Sequence, residues 1–288
     1  KLLRPDVKLT PAVPDIGFIH RRTPDADIYF LTNSTNARQQ VTATFQAQGT
    51  QAELWNPFDG SVMPVAAQFT VAGASLALDF EPYASRLLVF SKRKLAVPAL
   101  AQAATPLLDL STGWQVSFSA NDKPQTWERL RSWAEPEATR FYSGTARYEK
   151  EITLTAGQLA AGQTLRLDFG EGQAVPVQPR RNGMRAWLDG PVRDAAVVYV
   201  NDQRAGAVWC PPYSLEVTKL LKPGVNKLRI VVGNTAINYL AGHKLPDYKE
   251  LNQRYGERFQ AQDMENLQPL PSGLLGPVRV MMQGAGKD

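Results

Sequence analysis

The sequence contains one cysteine and two histidines, and this scarcity excludes several kinds of site. A single cysteine, Cys210, cannot form an internal disulfide, and it leaves the redox compartment open. His20 and His243 lie far apart, and neither belongs to a cluster with metal-ligand spacing. The sequence also lacks a Gly-x-Ser-x-Gly elbow, a phosphate-binding glycine loop and a dinucleotide fingerprint. We therefore expect no metal or other cofactor in this segment.

Long apolar runs are also missing. None reaches the roughly 18 residues that indicate a transmembrane helix, and residues 1–15 lack the apolar core of a signal peptide. Because the chain begins with Lys1 and not Met, we expect it to be part of a longer product. The net charge of +5 is compatible with an anionic partner, but the basic residues are scattered and not concentrated on one helix or face. We expect neither a nucleic acid nor a membrane as a partner.

Short alternating segments separated by turn residues predict an all-β protein with two antiparallel β-sandwich domains. The expected domains are an N-terminal sandwich over 1–93, an Ala/Pro-rich linker over 94–106 and a second sandwich over 107–288. We expect insertions in the second domain at about 171–195 and 240–272. The first of these reads as a surface loop or an extra hairpin, and Tyr248, Leu251, Tyr255 and Phe259 predict a helix at about 247–262, although Gly256 interrupts it.

The most regular stretch is 196–234. Val198 and Val200, then Leu228, Ile230 and Val232, alternate with polar or small neighbours, as half-buried strands do. Asn201-Asp202 supplies a short loop that tolerates positive φ, and Pro223-Gly224 marks the next reversal.

Six residues are candidates for contact with a carbohydrate or with a substrate cleft. Sugar rings pack on aromatic faces, which favours Trp187 in the first insertion and Trp209 and Tyr213 in the Trp-Cys-Pro-Pro-Tyr elbow. The competing interpretation is that Trp209 fills the core beneath that corner. The other candidates are His20 and Arg21, which read as a solvated charge cluster or as a contact with an upstream domain, and His243, in an insertion that could reach a neighbour.

Three other tryptophans are assigned to the fold. Trp114 alternates with Val116 and Phe118 and is expected in the core. Trp127 and Trp133 lie in a polar stretch, and we expect them to cover an edge or to contact a neighbour.

A glycosidase needs two carboxyl groups facing each other across the scissile bond. The sequence has 27 acidic residues, but most lie in turns and at strand edges, where a solvated surface position is the default. We therefore assign no catalytic residue.

Three sets of segments resemble the C-terminal part of the α-L-rhamnosidases of glycoside hydrolase family 106. They are residues 16–33, residues 53–62, and the combination of 142–154, 199–234 and 271–280. The last set is similar in outline to the sugar-binding sandwiches of family 2 glycosidases, and it implies a galactose-binding-like jelly roll in the second domain. His20-Arg21 matches the family motif without an assigned role.

The resemblance implies an upstream catalytic barrel with two glutamates acting as acid and base on a terminal rhamnose, and a calcium ion bound there. None of those motifs matches residues of this chain. The resemblance favours a periplasmic or secreted location. The expected function is an accessory β-sandwich part of a rhamnosidase-type hydrolase, in contact with the upstream domain and with carbohydrate. The alternatives are a stand-alone carbohydrate-binding module and a purely structural interaction domain.

Overall fold

The computed structural model describes residues 4–58, 60–71, 73–93, 103–119, 122–176, 187–243, 248–256 and 267–284. Antiparallel strands make up most of its regular structure, so the predicted all-β sandwich class is confirmed. The chain divides into two compact units. Unit 1 takes its described residues from the ranges 1–102 and 172–189, and unit 2 takes its own from 103–171 and 190–284. No helix in the part that the structure describes is long and apolar enough to cross a membrane.

Unit 1 is a sandwich of two sheets. Its strands in the first hundred residues are β1 (Val7–Thr10), β2 (Ile16–Arg22), β3 (Ala26–Asn33), β4 (Gln39–Phe45), β5 (Gln51–Trp55), β6 (Val62–Val65), β7 (Gln68–Thr70), β8 (Gly73–Phe80) and β9 (Ser85–Ser91). One sheet has the order β1-β4-β8-β7 and the other β2-β3-β9-β5-β6. Between them lies a core that includes Tyr29, Leu31, Phe45, Phe80 and Phe90.

The alternation that predicted these strands is visible in their burial. In β3, Asp27, Tyr29, Leu31 and Asn33 are buried while the residues between them are half-buried or exposed. The edge strand β2 escaped prediction because it shows no such alternation: after Ile16 its residues are exposed, apart from half-buried His20.

Unit 2 has its own core between a six-stranded and a four-stranded sheet. Its strands are β10 (Thr105–Asp109), β11 (Trp114–Ser117), β12 (Gln125–Trp127), β13 (Thr145–Leu154), β14 (Gln163–Asp168), β17 (Val192–Arg193), β18 (Ala195–Val200), β19 (Gln203–Val208), β20 (Ser214–Glu216), β21 (Gly224–Gly233), β22 (Gly273–Leu274) and β23 (Arg279–Gly284). Six strands form the sheet β12-β11-β13-β21-β18-β19, four form β10-β23-β14-β20, and β17 pairs with β22.

The turn between β18 and β19 has the predicted chemistry. Asn201 and Asp202 adopt positive φ angles of 50° and 64°, which a two-residue hairpin loop requires. The Asn201 amide also donates to the Leu220 carbonyl at 2.9 Å and to the side chain of Asn226 at 2.8 Å, so the turn is fixed from outside as well.

The first predicted insertion forms a short hairpin at its ends. Strand β15 (Gln173–Ala174) pairs with β16 (Leu188–Asp189), and both group with unit 1 although they interrupt the sequence of unit 2. The amide of Asn36 explains this grouping, because it donates to the carbonyls of Val175 and Trp187, each at 2.9 Å. Arg180, Arg181 and Arg185 of this insertion lie outside the described residues.

Two short helices follow β21. Helix α1 covers Ile237–Gly242 and α2 covers Tyr248–Tyr255. The predicted helix at about 247–262 is therefore confirmed in its first half. It ends at Gly256, whose φ of 75° suits only the left-handed end of a helix, and residues 257–262 lie outside the described part.

The tryptophans of unit 2 correct one prediction. Trp114 is fully buried, as expected, but Trp127 and Trp133 are core residues too and do not cover an edge. Their polar neighbours misled the prediction because burial here depends on tertiary partners. The Trp133 indole N–H donates to the Tyr148 hydroxyl at 2.6 Å, so the polar end of the ring is satisfied inside the core.

Candidate functional site

The most organised group of ionisable residues is a charge cluster formed by His20 and Arg22 of β2, Asp27 of β3 and Asp6, which immediately precedes β1. Cross-strand register explains it: Arg22 lies opposite Asp27 and His20 lies opposite Tyr29. His20 Nε2 is 2.8 Å from Asp27 Oδ1, and His20 Nδ1 is 3.4 Å from Asp6 Oδ2. Arg22 Nε donates to Asp27 Oδ1 at 2.7 Å.

Asp27 is the centre of this charge cluster and is only 1% exposed. Its second oxygen, Oδ2, accepts the backbone N–H of Gln48 at 2.7 Å. Burial acts to raise the pKa of Asp27, but the hydrogen bonds from Gln48, Arg22 and His20 outweigh it and hold the pKa below its ordinary value. The carboxylate is thus kept ionised in the interior.

The His20 ring is also held by stacking. Its centroid lies 4.1 Å from that of Tyr29, with an angle of 7° between the planes. Tyr29 is fully buried and donates its hydroxyl to the Gln46 carbonyl at 3.1 Å, and burial raises its pKa. One face of the imidazole therefore packs on a fixed ring while both of its nitrogens face carboxylates.

This arrangement suits a positioning role better than proton transfer. A general base needs a nitrogen or oxygen within hydrogen-bond reach of the substrate proton, and both His20 nitrogens already have acidic partners. In the described ranges, no group of three or more His, Cys, Asp and Glu could hold a metal ion.

Arg21 is not part of the charge cluster. Side chains alternate along a strand, so Arg21 lies on the opposite face of β2 from His20, beside Ile28 of β3. The structure therefore separates two candidates that are adjacent in sequence.

Trp187 is half-buried at the base of the β15–β16 hairpin. Its backbone N–H donates to the Tyr83 hydroxyl at 3.0 Å, and its carbonyl accepts from Asn36 and from the Val175 N–H. Backbone contacts within unit 1 therefore position this ring.

The Trp-Cys-Pro-Pro-Tyr elbow has one outer and one inner aromatic. Trp209 is 56% exposed, so the expectation that it fills the core is wrong; Tyr213, 7% exposed, takes that place. The Tyr213 carbonyl accepts the Phe169 N–H at 2.9 Å, which attaches the inner end of the elbow to the end of β14. Burial raises the pKa of the Tyr213 phenol.

His243 closes helix α1 on the surface of unit 2. Its ring stacks on Tyr239 with centroids 3.8 Å apart, and its Nδ1 lies 2.7 Å from the Tyr239 carbonyl. Tyr239 is 52% exposed, so the pair presents an aromatic surface.

Sequence reasoning missed the acidic members of the charge cluster. A turn of three residues separates Arg22, the last residue of β2, from β3, which contains Asp27. In this turn the Thr23 N–H donates to the Ala26 carbonyl at 2.8 Å. Treating 16–33 as a hairpin would have placed Asp27 opposite Arg22. It also missed Glu53, which is fully buried and accepts from Trp55 Nε1 at 2.8 Å and from Ser91 Oγ at 3.0 Å.

Comparison with known proteins assigns the region of the charge cluster to a family. Residues 2–70 match the sequence model of glycoside hydrolase family 106, described as alpha-L-rhamnosidase. The solved structure of the rhamnosidase from Novosphingobium sp. PP1Y is similar over 97% of this chain, with 28% identity and a TM-score of 0.77. The chain is a relative of the family 106 rhamnosidases.

This rhamnosidase relative spans only part of the proteins that it matches. It covers 25% of the Novosphingobium rhamnosidase chain. A putative beta-glucuronidase of Formosa agariphila is 27% identical over 213 residues, which is 65% of this chain and 16% of that protein. The chain is thus a glycoside hydrolase-related pair of β-rich units.

Proposed function

We propose that the chain is a C-terminal accessory β-sandwich part of an α-L-rhamnosidase-type glycoside hydrolase. Its role is to support an upstream catalytic domain of the same polypeptide and to contact the glycan at the rim of that domain's cleft. The observation that carries the proposal is the similarity over 97% of this chain to only 25% of a rhamnosidase. Two carboxyl groups facing a cleft, and any calcium, would then belong to the rest of the polypeptide.

The charge cluster supports a positioning role within this function. An ionised carboxylate buried at the β2–β3 hairpin fixes the geometry of an otherwise exposed edge strand, because any displacement would leave Asp27 without its partners. An edge strand with a fixed geometry would let an accessory domain keep a constant orientation against the catalytic domain.

Hydrolysis of an aryl α-L-rhamnoside tests the proposal. We expect the longer gene product to hydrolyse it and this chain alone to be inactive. The mass of the gene product is measured in parallel. A natural product no longer than these 288 residues would refute the assignment, as would hydrolysis by this chain alone.

A stand-alone carbohydrate-binding module is the second candidate, favoured by the exposed Trp209 ring and the Tyr239–His243 stack. Calorimetric titration of this chain with rhamnose-containing oligosaccharides separates the two. Binding that disappears in Trp209→Ala or in Trp187→Ala supports the module, and heats equal to those of dilution support the accessory role.

A further inference from the structure

One row of side chains on the outward face of the five-stranded sheet in unit 1 is apolar, where a sandwich normally presents polar residues to water. Strand register aligns Ile19 with Phe30, Phe30 with Leu87, Leu87 with Trp55 and Trp55 with Val62. These five residues, here called the outer row, give one apolar side chain from every strand of the sheet. The row crosses the sheet from edge to edge without a polar side chain.

The outer row lies on the face opposite the core. Phe30 is 37% exposed, whereas Tyr29 and Leu31 on either side of it are fully buried. The two ends of the row are the most accessible, with Ile19 58% and Val62 40% exposed. Five strands spaced by about 4.8 Å place these ends about 19 Å apart, which is wide enough to seat a helix or a second sheet.

The neighbouring row of side chains on the same face contains two charged residues, Arg21 and Glu53, and Glu53 is buried. Register aligns Arg21, Ile28, Val89, Glu53 and Pro64. Glu53 is fully buried on this outward face, where Trp55 and Ser91 donate to it, and Arg93 Nη1 lies 3.9 Å from its Oε2. Arg21 at the edge strand is exposed and lies over the same face.

Contiguous exposed apolar side chains, unlike single scattered ones, mark contact sites. The segment matched by the rhamnosidase family, residues 2–70, contains four of the five strands of this sheet, β2, β3, β5 and β6. Three quarters of the Novosphingobium rhamnosidase has no counterpart in this chain, since the chain covers 25% of it. The segment that matches the family thus supplies four of the five residues of the outer row, Ile19, Phe30, Trp55 and Val62.

We propose that the outer row is the docking surface for another domain of the same, longer polypeptide. That domain presents an apolar face to the row and an acidic side chain to Arg21. The inference rests on the proposed function, because it requires the longer polypeptide, and it adds which face of the chain makes the contact.

Thiol labelling tests the surface residue by residue. In a Cys210→Ser background, Ile19→Cys and Val62→Cys place a thiol at either end of the outer row. Val225→Cys on β21 of unit 2 is the control, because Val225 is 50% exposed and also lies in a strand. Labelling rates with a maleimide are compared between this chain and the longer polypeptide.

We expect the two outer-row thiols to react about tenfold or more slowly in the longer polypeptide, since a covered site reacts only when it opens, while the control thiol keeps its rate. Equal rates at the outer row in both proteins would overturn the docking surface. If the outer-row thiols of this chain alone become slower to label as its concentration rises, the row binds a second copy of the chain, and the proposed domain contact is overturned.

Activity toward an aryl α-L-rhamnoside, measured on the same samples, separates the two proposals. An active polypeptide whose outer row stays reactive refutes the docking surface alone. A protected outer row in a polypeptide without that activity refutes the proposed function and leaves the docking surface standing.

Discussion

At the scale of the residue, Asp27 decides the stability of the β2–β3 hairpin. Asp27→Asn removes the buried charge that His20, Arg22 and the Gln48 N–H bind. We expect a loss of roughly 1–3 kcal/mol in the free energy of unfolding of unit 1, the range for leaving a buried hydrogen-bonding partner unsatisfied. This loss is measured by denaturant unfolding, with hydrogen exchange of the β3 amides as the probe of unit 1.

The matched control for that change is Asp79→Asn. Asp79 also pairs with an arginine, Arg38, but both side chains are more than 40% exposed. Exposed pairs contribute between about 0 and 1 kcal/mol. Equal losses in the two variants would show that burial of Asp27 contributes nothing.

The effect of Asp27 depends on pH in a defined direction. The folded-state pKa is lowered, so the stabilisation is complete above the ordinary aspartate pKa of about 3.9 and disappears as pH falls through the lowered value. The difference in stability between the parent chain and Asp27→Asn should therefore shrink as the solution becomes more acidic than about pH 4. A difference that grows on acidification would contradict the assignment.

Tyr148 has a comparable role in the core of unit 2. Its hydroxyl accepts the Trp133 indole N–H and the Leu274 backbone N–H at 3.2 Å, and burial raises its pKa to about 12. Tyr148→Phe leaves both donors buried without an acceptor, which we expect to cost roughly 2–4 kcal/mol of unfolding free energy. Tyr239→Phe, at an exposed tyrosine, should change it little. Calorimetry of the two variants makes the comparison.

At the scale of the element, the β15–β16 hairpin depends on one side chain from another part of the sequence. Asn36→Ala removes two hydrogen bonds to the carbonyls of Val175 and Trp187. We expect amide exchange at Val175 to accelerate roughly tenfold or more, since each lost bond is worth about 1 kcal/mol of local stability.

The control for the hairpin is Asn56→Ala. The side chain of Asn56 accepts the Phe58 N–H within its own turn at 3.0 Å. Asn56→Ala should therefore leave the rate of amide exchange at Val175 unchanged. Unchanged exchange at Val175 in Asn36→Ala as well would mean that the strand pairing of the hairpin holds it without Asn36.

At the scale of the whole molecule, we predict that the net charge of +5 does not create a nucleic-acid site. Several arginines are paired with acidic side chains of the same unit, among them Arg22, Arg38, Arg86, Arg129 and Arg229. We therefore expect binding to a labelled DNA duplex no tighter than about 10⁻⁶ M at physiological salt, the level of non-specific contact. Fluorescence anisotropy measures it, and a tighter complex that resists added salt would contradict the expectation.

The sequence predicted the parts of the fold that depend on local pattern. Period-two alternation indicated β18 and β21, and Asn201-Asp202 indicated the hairpin turn. It failed for the edge strand β2, because an edge strand buries little of either face. The candidate site was predicted only in part: His20 was found and Asp27 was not, because the contact depends on cross-strand register.

Composition and alternation alone therefore determined that the chain is all-β, and its motifs indicated the rhamnosidase family. Tertiary structure alone decided which face of each strand is covered. It buried Trp127 and Trp133 despite polar neighbours, turned Trp209 outward, separated Arg21 from His20 and attached residues 172–189 to unit 1. The physical reason is that a local pattern records how a strand alternates, whereas burial and ionisation depend on partners that are distant in the sequence.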